Sequence, residues 1–107
     1  MIKVNVLLEK TGSSHPIKSL VVDGHAGSGP KGHDLVCAGV SAILIGGINA
    51  LEEGQSAYDI EVKEGHVSIV NKNYDEKLNR IIHVILIQLK TIASSYPNHI
   101  KITENYN

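Results

Sequence analysis

The residues whose side chains could carry out catalysis are concentrated in one stretch of this chain, GHAGSGPKGHDLVCAGVS, from Gly24 to Ser41. It holds the only cysteine, Cys37, and two of the six histidines, His25 and His33. A thiol at a helix N-terminus is favoured as the thiolate, and a nearby imidazole stabilises that form or takes the proton. His25 and Cys37 are therefore a candidate base and nucleophile for cysteine catalysis.

Two polar residues flank the candidate nucleophile. If Asp34 is the N-cap of the helix, Cys37 occupies the N3 position, and free backbone N–H groups near 36–38 could form an oxyanion hole. Asp34 could instead orient His25 as the third member of a triad, and the residues leave both roles open. Ser41 lies one helical turn after Cys37 on the same face, where its hydroxyl could hydrogen-bond the sulfur.

The same stretch admits three other interpretations. A lone cysteine in an apolar helix is commonly a small buried residue, so Cys37 has a purely structural alternative. Residues 27–32, GSGPKG, fit the dinucleotide-binding pattern GxGxxG, but that pattern needs a βαβ unit and we expect hairpins around this helix. The side chains available for zinc have a spacing that matches no common structural zinc site, and they are His25, His33, Asp34 and Cys37. We expect no metal and no cofactor.

Composition and charge narrow the class of protein. A chain of 107 residues suits a single domain, 1–107, and its 42% hydrophobic residues suffice for a core of Ile, Val and Leu. A net charge of −1 provides no basic surface, so we expect no direct binding of nucleic acid. One cysteine cannot form an internal disulfide, and the sequence has neither a signal-peptide pattern nor a long apolar run. We therefore expect a cytoplasmic protein that does not bind a membrane.

The elements that must position these residues follow from hydrophobic periodicity. Period-two alternation predicts a first hairpin, with strands from Ile2 to Leu8 and from Ile17 to Asp23, and a second hairpin around Glu64-Gly65. A first helix is predicted from near Asp34 to about Glu53. The spacing of apolar residues predicts a second, amphipathic helix capped by Asp75 or Asn73, and a short last strand follows near 100–102. The order ββαββαβ predicts an α+β two-layer sandwich, a mostly antiparallel sheet with two helices on one side.

The motif GHA, then a glycine-containing loop, then GxDLVCAxVS resembles the ribosomal-processing cysteine protease family called Prp. The run INALEE from Ile48 and the ending LKTIASSYPNHIKI from Leu89 also resemble that family. The resemblance implies a small bacterial α+β enzyme that forms homodimers. It implies that the substrate is the N-terminal extension of a large-subunit ribosomal protein, number twenty-seven, which the enzyme removes during ribosome maturation. A non-catalytic binding module for ribosome assembly is the alternative.

The resemblance also implies roles for individual residues. It places the catalytic histidine at His25 and the nucleophile at Cys37, and its motif aspartate and serine fall on Asp34 and Ser41. The loop from Ala26 to His33 corresponds to a flexible loop that closes over the substrate. The glycines of the motif and this loop are Gly24, Gly27, Gly29 and Gly32.

Overall fold

A computed structural model describes residues 1–10, 15–24, 31–51 and 57–107, with the backbone alone for 31–34. The elements run in the predicted order ββαββαβ. They are β1 (Ile2–Leu8), β2 (Ile17–Asp23), α1 (Lys31–Leu51), β3 (Tyr58–Lys63), β4 (His66–Asn71), α2 (Glu76–Ser95) and β5 (Ile100–Tyr106). The α+β sandwich predicted from the sequence is confirmed.

The five strands form one sheet in the order β3-β4-β2-β1-β5. Neighbouring strands are antiparallel except β1 and β5, which run parallel. The last strand is longer than the short one predicted, because it pairs along the whole of β1, from Ile2 with Ile100 to Leu8 with Tyr106. A neighbouring strand supplies backbone hydrogen bonds that hold even polar residues in a strand.

One face of the sheet is buried and the other meets solvent. Every second residue of β1 from Ile2 to Leu8 is buried, whereas Lys3 and Asn5 between them are exposed. The buried residues of both helices belong to the same core as those of the strands. The two helices therefore cover one side of the sheet, as predicted, and burial of each large aliphatic side chain contributes about 1.5–3 kcal/mol.

The helices α1 and α2 pack closely because glycine removes side chains between them. A Cβ added at Gly47 would overlap the side chain of Ile85, and one added at Gly39 would lie 3.2 Å from Ile92 Cδ1. A glycine inside a helix costs about 1 kcal/mol relative to alanine, and this close approach offsets the cost at Gly47. Since later residues of α1 meet earlier residues of α2, the helices run antiparallel.

Specific polar contacts fix the start of α2. Asp75 is its N-cap, and the side-chain oxygen Oδ1 accepts a hydrogen bond from the N–H of Leu78 at 3.1 Å. One of the two predicted caps is thereby confirmed. Asn79 is buried, and its Oδ1 accepts a hydrogen bond from the N–H of Ile17 at 3.1 Å. This bond ties the first turn of α2 to the start of β2.

Candidate active site

The thiol of Cys37 lies at the edge of the hydrophobic core. Cys37 is a free cysteine with 8% of its surface exposed, and its neighbours Val36 and Val40 are buried on the same side of α1. The preceding Leu35 points the other way and is 67% exposed. Cys37 therefore lies at the edge of the buried face of α1, packed with the core and in limited contact with solvent.

The start of α1 corrects the predicted place of Cys37 in the helix. The helix begins at Lys31 rather than near Asp34, so Asp34 lies in the first turn and is not the N-cap. Residues 31–34, KGHD, contain no large apolar side chain, so hydrophobic spacing places the start of the helix too late. The predicted end near Glu53 lies outside the described residues.

This earlier start changes which backbone donors are free. In an α-helix from Lys31, the N–H groups of 36–38 bond to carbonyls four residues earlier, so they are not available as an oxyanion hole. The N–H groups without an intrahelical partner belong to the first turn, which includes Gly32 and His33. Cys37 lies in the second turn, where the field of the helix dipole is weaker than at N3.

The predicted hydrogen bond between Ser41 and Cys37 is not formed in this conformation. Ser41 is partly buried one turn after Cys37 on α1. Among the hydrogen bonds between residues that the structure describes, none joins the Ser41 hydroxyl to the Cys37 sulfur. The two side chains share a helix without a direct polar contact.

Several predicted site residues cannot be placed. His25, Gly27 and Gly29 lie outside the described residues, and His33 and Asp34 are described by their backbone alone. The segment that leads to His25 is described, because β2 ends at Asp23 and is followed by Gly24. The end of β2 and the turn at Gly24 thus define the point from which the chain continues to His25.

Gly24 has a conformation and surroundings that exclude any other residue. Its φ is +90°, in the left-handed region, and a Cβ there would lie 2.7 Å from the carbonyl oxygen of Met1. The N–H of Gly24 donates a hydrogen bond to the carbonyl of Gly65 at 2.9 Å. Gly24 thus turns the chain out of β2 while touching both β1 and the β3–β4 hairpin.

The topology brings Gly24 and Cys37 to the same end of the molecule. The antiparallel packing of the helices places the start of α1 beside the end of α2. The chain then leads through His99, whose carbonyl accepts a hydrogen bond from the N–H of Ile2 at 2.9 Å, to the start of β5. The start of β1 pairs in turn with the end of β2, with Lys3 opposite Asp23. The segment preceding His25 and the helical turn carrying Cys37 therefore lie at the same end of the fold.

A further histidine at this end had no role in the sequence analysis. The Nδ1 of His66 lies 2.5 Å from Oδ1 of Asp23, the residue before Gly24, and its Nε2 lies 3.5 Å from Oε1 of Glu61. Because a carboxylate only accepts hydrogen bonds, the ring Nδ1–H is the donor. The sequence predicts the second hairpin, which carries His66. It does not predict that this hairpin pairs with β2, because that pairing joins residues far apart in the chain.

Two classes of site find no support in the part of the chain that the structure describes. Over residues 1–10, 15–24, 35–51 and 57–107, no three His, Cys, Asp or Glu side chains are grouped closely enough to bind a metal ion. Within the same ranges, neither helix combines the length and hydropathy needed to span a bilayer.

The family of proteins described as Cysteine protease Prp matches residues 1–101 of the chain. The chain belongs to the Prp family. It is accordingly a cysteine-type peptidase. A Prp relative, the ribosomal processing cysteine protease Prp of Staphylococcus aureus strain Mu50, is 35% identical over 107 residues, which cover 95% of this chain and 97% of the relative. The Prp of Mycoplasma genitalium is 44% identical over 89 residues, covering 79% of this chain and 86% of that protein.

Solved Prp structures share the fold. A crystal structure of the essential ribosomal processing protease Prp from S. aureus with a substrate peptide matches with a TM-score of 0.85 at 30% identity, covering 98% of this chain and 100% of that one. A second S. aureus Prp structure, with a covalently linked product peptide, matches with a TM-score of 0.82 at 31% identity over the same shares. The sandwich described above is therefore the fold of peptide-bound Prp enzymes.

Proposed function

We propose that this protein is a cysteine endopeptidase of the bacterial cytoplasm that removes the N-terminal extension of the large-subunit ribosomal protein number twenty-seven. The observation that carries the proposal is the position of the only cysteine. Cys37 stands in the second turn of α1, at the same end of the fold as Gly24, in a chain of a cysteine protease family. The S. aureus relatives bear the name of a ribosomal processing protease and include a complex with a substrate peptide.

Cys37 is the nucleophile in this proposal. A cysteine-type peptidase attacks its substrate through a thiolate, and this chain offers a single thiol. Cys37 is packed at the edge of the core with 8% of its surface exposed. An extended peptide lying over the first turns of α1 would bring its carbonyl carbon to this edge.

His25 is the general base and acid. It follows Gly24 directly, and Gly24 turns the chain out of β2 at the end of the sheet that α1 covers with Cys37. Because α1 starts at Lys31, Asp34 is not its N-cap. An orienting role for Asp34 toward His25 is the proposal that remains for this residue.

The reaction then runs in two halves. His25 takes the proton of Cys37, the sulfur attacks the scissile carbonyl carbon, and a tetrahedral intermediate forms. His25 gives the proton to the amine, the C–N bond breaks, and the upstream peptide stays on sulfur as a thioester. Water then hydrolyses this thioester and restores the thiol. N–H groups of the first turn of α1, including those of Gly32 and His33, are the donors that would hold the oxyanion.

A homodimer is part of the proposal, and an apolar groove on the outer side of the helices supports it. The groove has a volume of about 540 Å³ and is lined mainly by small and aliphatic residues of both helices, among them Gly46, Ile81 and Val84. Gly46 has no neighbour within 4 Å of an added Cβ, so the surface is open there. We propose that a second copy of the chain covers this groove.

Sedimentation velocity tests the dimer with a matched pair of variants. Val84 lines the groove, whereas Ile87 is exposed on the same helix and lies outside it. Val84→Lys is expected to yield monomers and Ile87→Lys to leave the dimer intact. Dimers in both variants would show that the interface does not include the groove, and a monomeric wild type would refute the proposed homodimer.

Mass spectrometry of the host's own ribosomal protein tests the peptidase. Wild type is expected to release one N-terminal peptide, and Cys37→Ala and His25→Ala are expected to release none. The S. aureus structure with a covalently linked product peptide sets a further expectation. A trapped thioester on Cys37 should appear as an added peptide mass after rapid acid quenching. Cleavage by Cys37→Ala would refute the proposed nucleophile.

The alternative function, a binding module for ribosome assembly without catalysis, is favoured by one observation, the low exposure of Cys37. Labelling of Cys37 with iodoacetamide at pH 6–7 distinguishes the peptidase from the binding module. A peptidase nucleophile is expected to be labelled rapidly, and more slowly in His25→Ala. A thiol that resists labelling in the folded protein, together with uncut ribosomal protein that still binds, would establish the binding module.

A further inference from the structure

A side-chain pair on the solvent face of the sheet joins β2 to β4 directly before the turn at Gly24. Nδ1 of His66 donates a hydrogen bond to Oδ1 of Asp23 at 2.5 Å, and the two residues are register partners. The other ring nitrogen, Nε2, lies 3.5 Å from Oε1 of Glu61 on β3. We call the pair of Asp23 and His66 the β2–β4 clamp.

The backbone beside the clamp carries a second link between the same two strands. The N–H of Gly24 donates to the carbonyl of Gly65 at 2.9 Å, and Gly65 is the residue before His66. Residues 23–24 are thus joined to 65–66 by one side-chain bond and one backbone bond. Gly24 also packs against the carbonyl of Met1, so the end of β2 is held from both sides.

The clamp lies outside the catalytic constellation. Asp23 and His66 lie on the solvent-facing side of the sheet, whereas α1 and Cys37 cover the opposite side. Their side chains are half-exposed, and charged groups face them from every neighbouring strand. Lys3 of β1 is the register partner of Asp23, and Lys63 of β3 is the register partner of His66.

We propose that the β2–β4 clamp positions His25 for the reaction with Cys37. The proposal rests on the proposed function, in which His25 is the base. His25 follows the clamped residues after a single glycine. Because glycine allows many backbone conformations, the imidazole of His25 would take a wider range of positions without the clamp. Misplacement of a catalytic group by about 1 Å can cost about 100-fold in rate. Asp23 and His66 are positioning residues and do not touch the peptide.

Steady-state kinetics on a peptide with the ribosomal extension tests the clamp with three variants. His66→Leu removes the donor to Asp23, and kcat is expected to fall by about 10-fold to 100-fold with KM changed less than about 2-fold. His66→Asn retains an N–H donor near the position of Nδ1 and is expected to recover most of kcat. Lys72→Ala breaks the ion pair with Asp59, 3.4 Å long, at the far end of the same hairpin. This control is expected to match wild type.

Amide hydrogen exchange gives a readout that needs no substrate. The N–H of Gly24 is expected to exchange faster in His66→Leu than in wild type, and at the wild-type rate in His66→Asn and Lys72→Ala. Circular dichroism and melting temperature confirm that each variant is folded.

The outcomes distinguish the clamp from the proposed function. Wild-type cleavage reports on the function, and the ratio of variant to wild type reports on the clamp. A wild-type kcat in His66→Leu would overturn the clamp and leave the peptidase standing. A kcat loss that His66→Asn fails to recover, with the Gly24 amide unchanged, would also overturn it. Wild type that leaves the extension uncut would refute the function itself, whatever the Gly24 amide shows.

Discussion

The two helices pack against each other on one side of the sheet, yet their outward faces differ. The outward face of α2 mixes charged and amide side chains, such as Lys77, Arg80 and Gln88, with the exposed apolar side chains of Val84 and Ile87. The outward face of α1 carries Ala42, Ile45 and Gly46. Charged residues keep much of the outward face of α2 compatible with water, whereas α1 has no charged residue from Leu35 to Leu51. An outward face without charge is typical of a surface that meets another molecule.

This difference indicates that the two helices contribute differently to stability and to function. The core residues of α2 stabilise the sandwich, and α1 contributes to the same core while also presenting Cys37 in its second turn. The open groove is lined by residues of both helices. Substitutions of buried residues of α2 should therefore change the free energy of unfolding, and substitution of Cys37 on α1 should change activity alone.

The largest expected contrast is between Cys37→Ala on α1 and Leu89→Ala on α2. Cys37→Ala should reduce kcat/KM by more than about 1000-fold, because covalent catalysis is lost, with a melting temperature close to that of wild type. Leu89 is fully buried, so Leu89→Ala should cost about 2–5 kcal/mol in the free energy of unfolding. The protein that remains folded should still cleave. Activity titrations and denaturant curves measure both, and equal losses of stability would remove the contrast.

A second contrast compares two adjacent glycines of α1. Gly47→Ala should destabilise the fold by about 1–3 kcal/mol, because the new methyl group overlaps Ile85 of α2. Gly46→Ala meets open space and should stabilise the helix by about 0.5–1 kcal/mol. Urea unfolding at a dilution where the chain is monomeric gives both values. A stabilising Gly47→Ala would mean that the helices lie farther apart than described.

A third contrast compares one aspartate at the start of each helix. Asp75→Ala removes the N-cap bond to Leu78 and should cost about 0.5–2 kcal/mol, without an effect on kcat. Asp34→Asn should change stability less, because Asp34 is not the N-cap of α1. A fall in kcat with unchanged stability would support an orienting role toward His25. A stability loss as large as that of Asp75→Ala would show that Asp34 has a structural role instead.

The smallest effect at neutral pH is expected at Tyr58 on β3. Burial, followed by the nearby charge of Asp75, raises the pKa of Tyr58 to about 12. Because the folded state then holds its proton more tightly than the unfolded state, stability should be unaffected below about pH 10 and decline between about pH 10 and 12. Tyr58→Phe should abolish this component, with little change at pH 7, because the hydroxyl has no partner among the described residues. Denaturant midpoints from pH 8 to 12 provide the measurement.

The elements predictable from the sequence were those set by local patterns. Strict alternation from Ile2 to Leu8 and the turn at Glu64-Gly65 each depend on neighbours in the chain. The sequence predicts Asp75 or Asn73 as the N-cap of α2, and Asp75 is the N-cap in the structure. The start of α1 was missed because apolar residues begin only at Leu35, after a polar first turn that is already helical.

The remainder depends on contacts between distant residues. The full length of β5 follows from pairing with β1, since its polar second half carries little strand signal of its own. The pairing of His66 with Asp23 follows from the register of β2 and β4, which no single-sequence pattern specifies. At the candidate site, the types of residue were predictable, whereas the helical turn of Cys37 was not.

The parallel pairing of β1 with β5 has a consequence for synthesis of the enzyme. Strand β1 cannot gain β5 as its second partner until residues 100–106 have been translated, so this part of the sheet closes through a loop of more than 90 residues. Ile2, which opens this pairing, adjoins the Met1 carbonyl that packs against Gly24. A nascent chain still short of residue 100 should therefore lack a mature active site, and proteolytic competence should arise only once β5 has been translated.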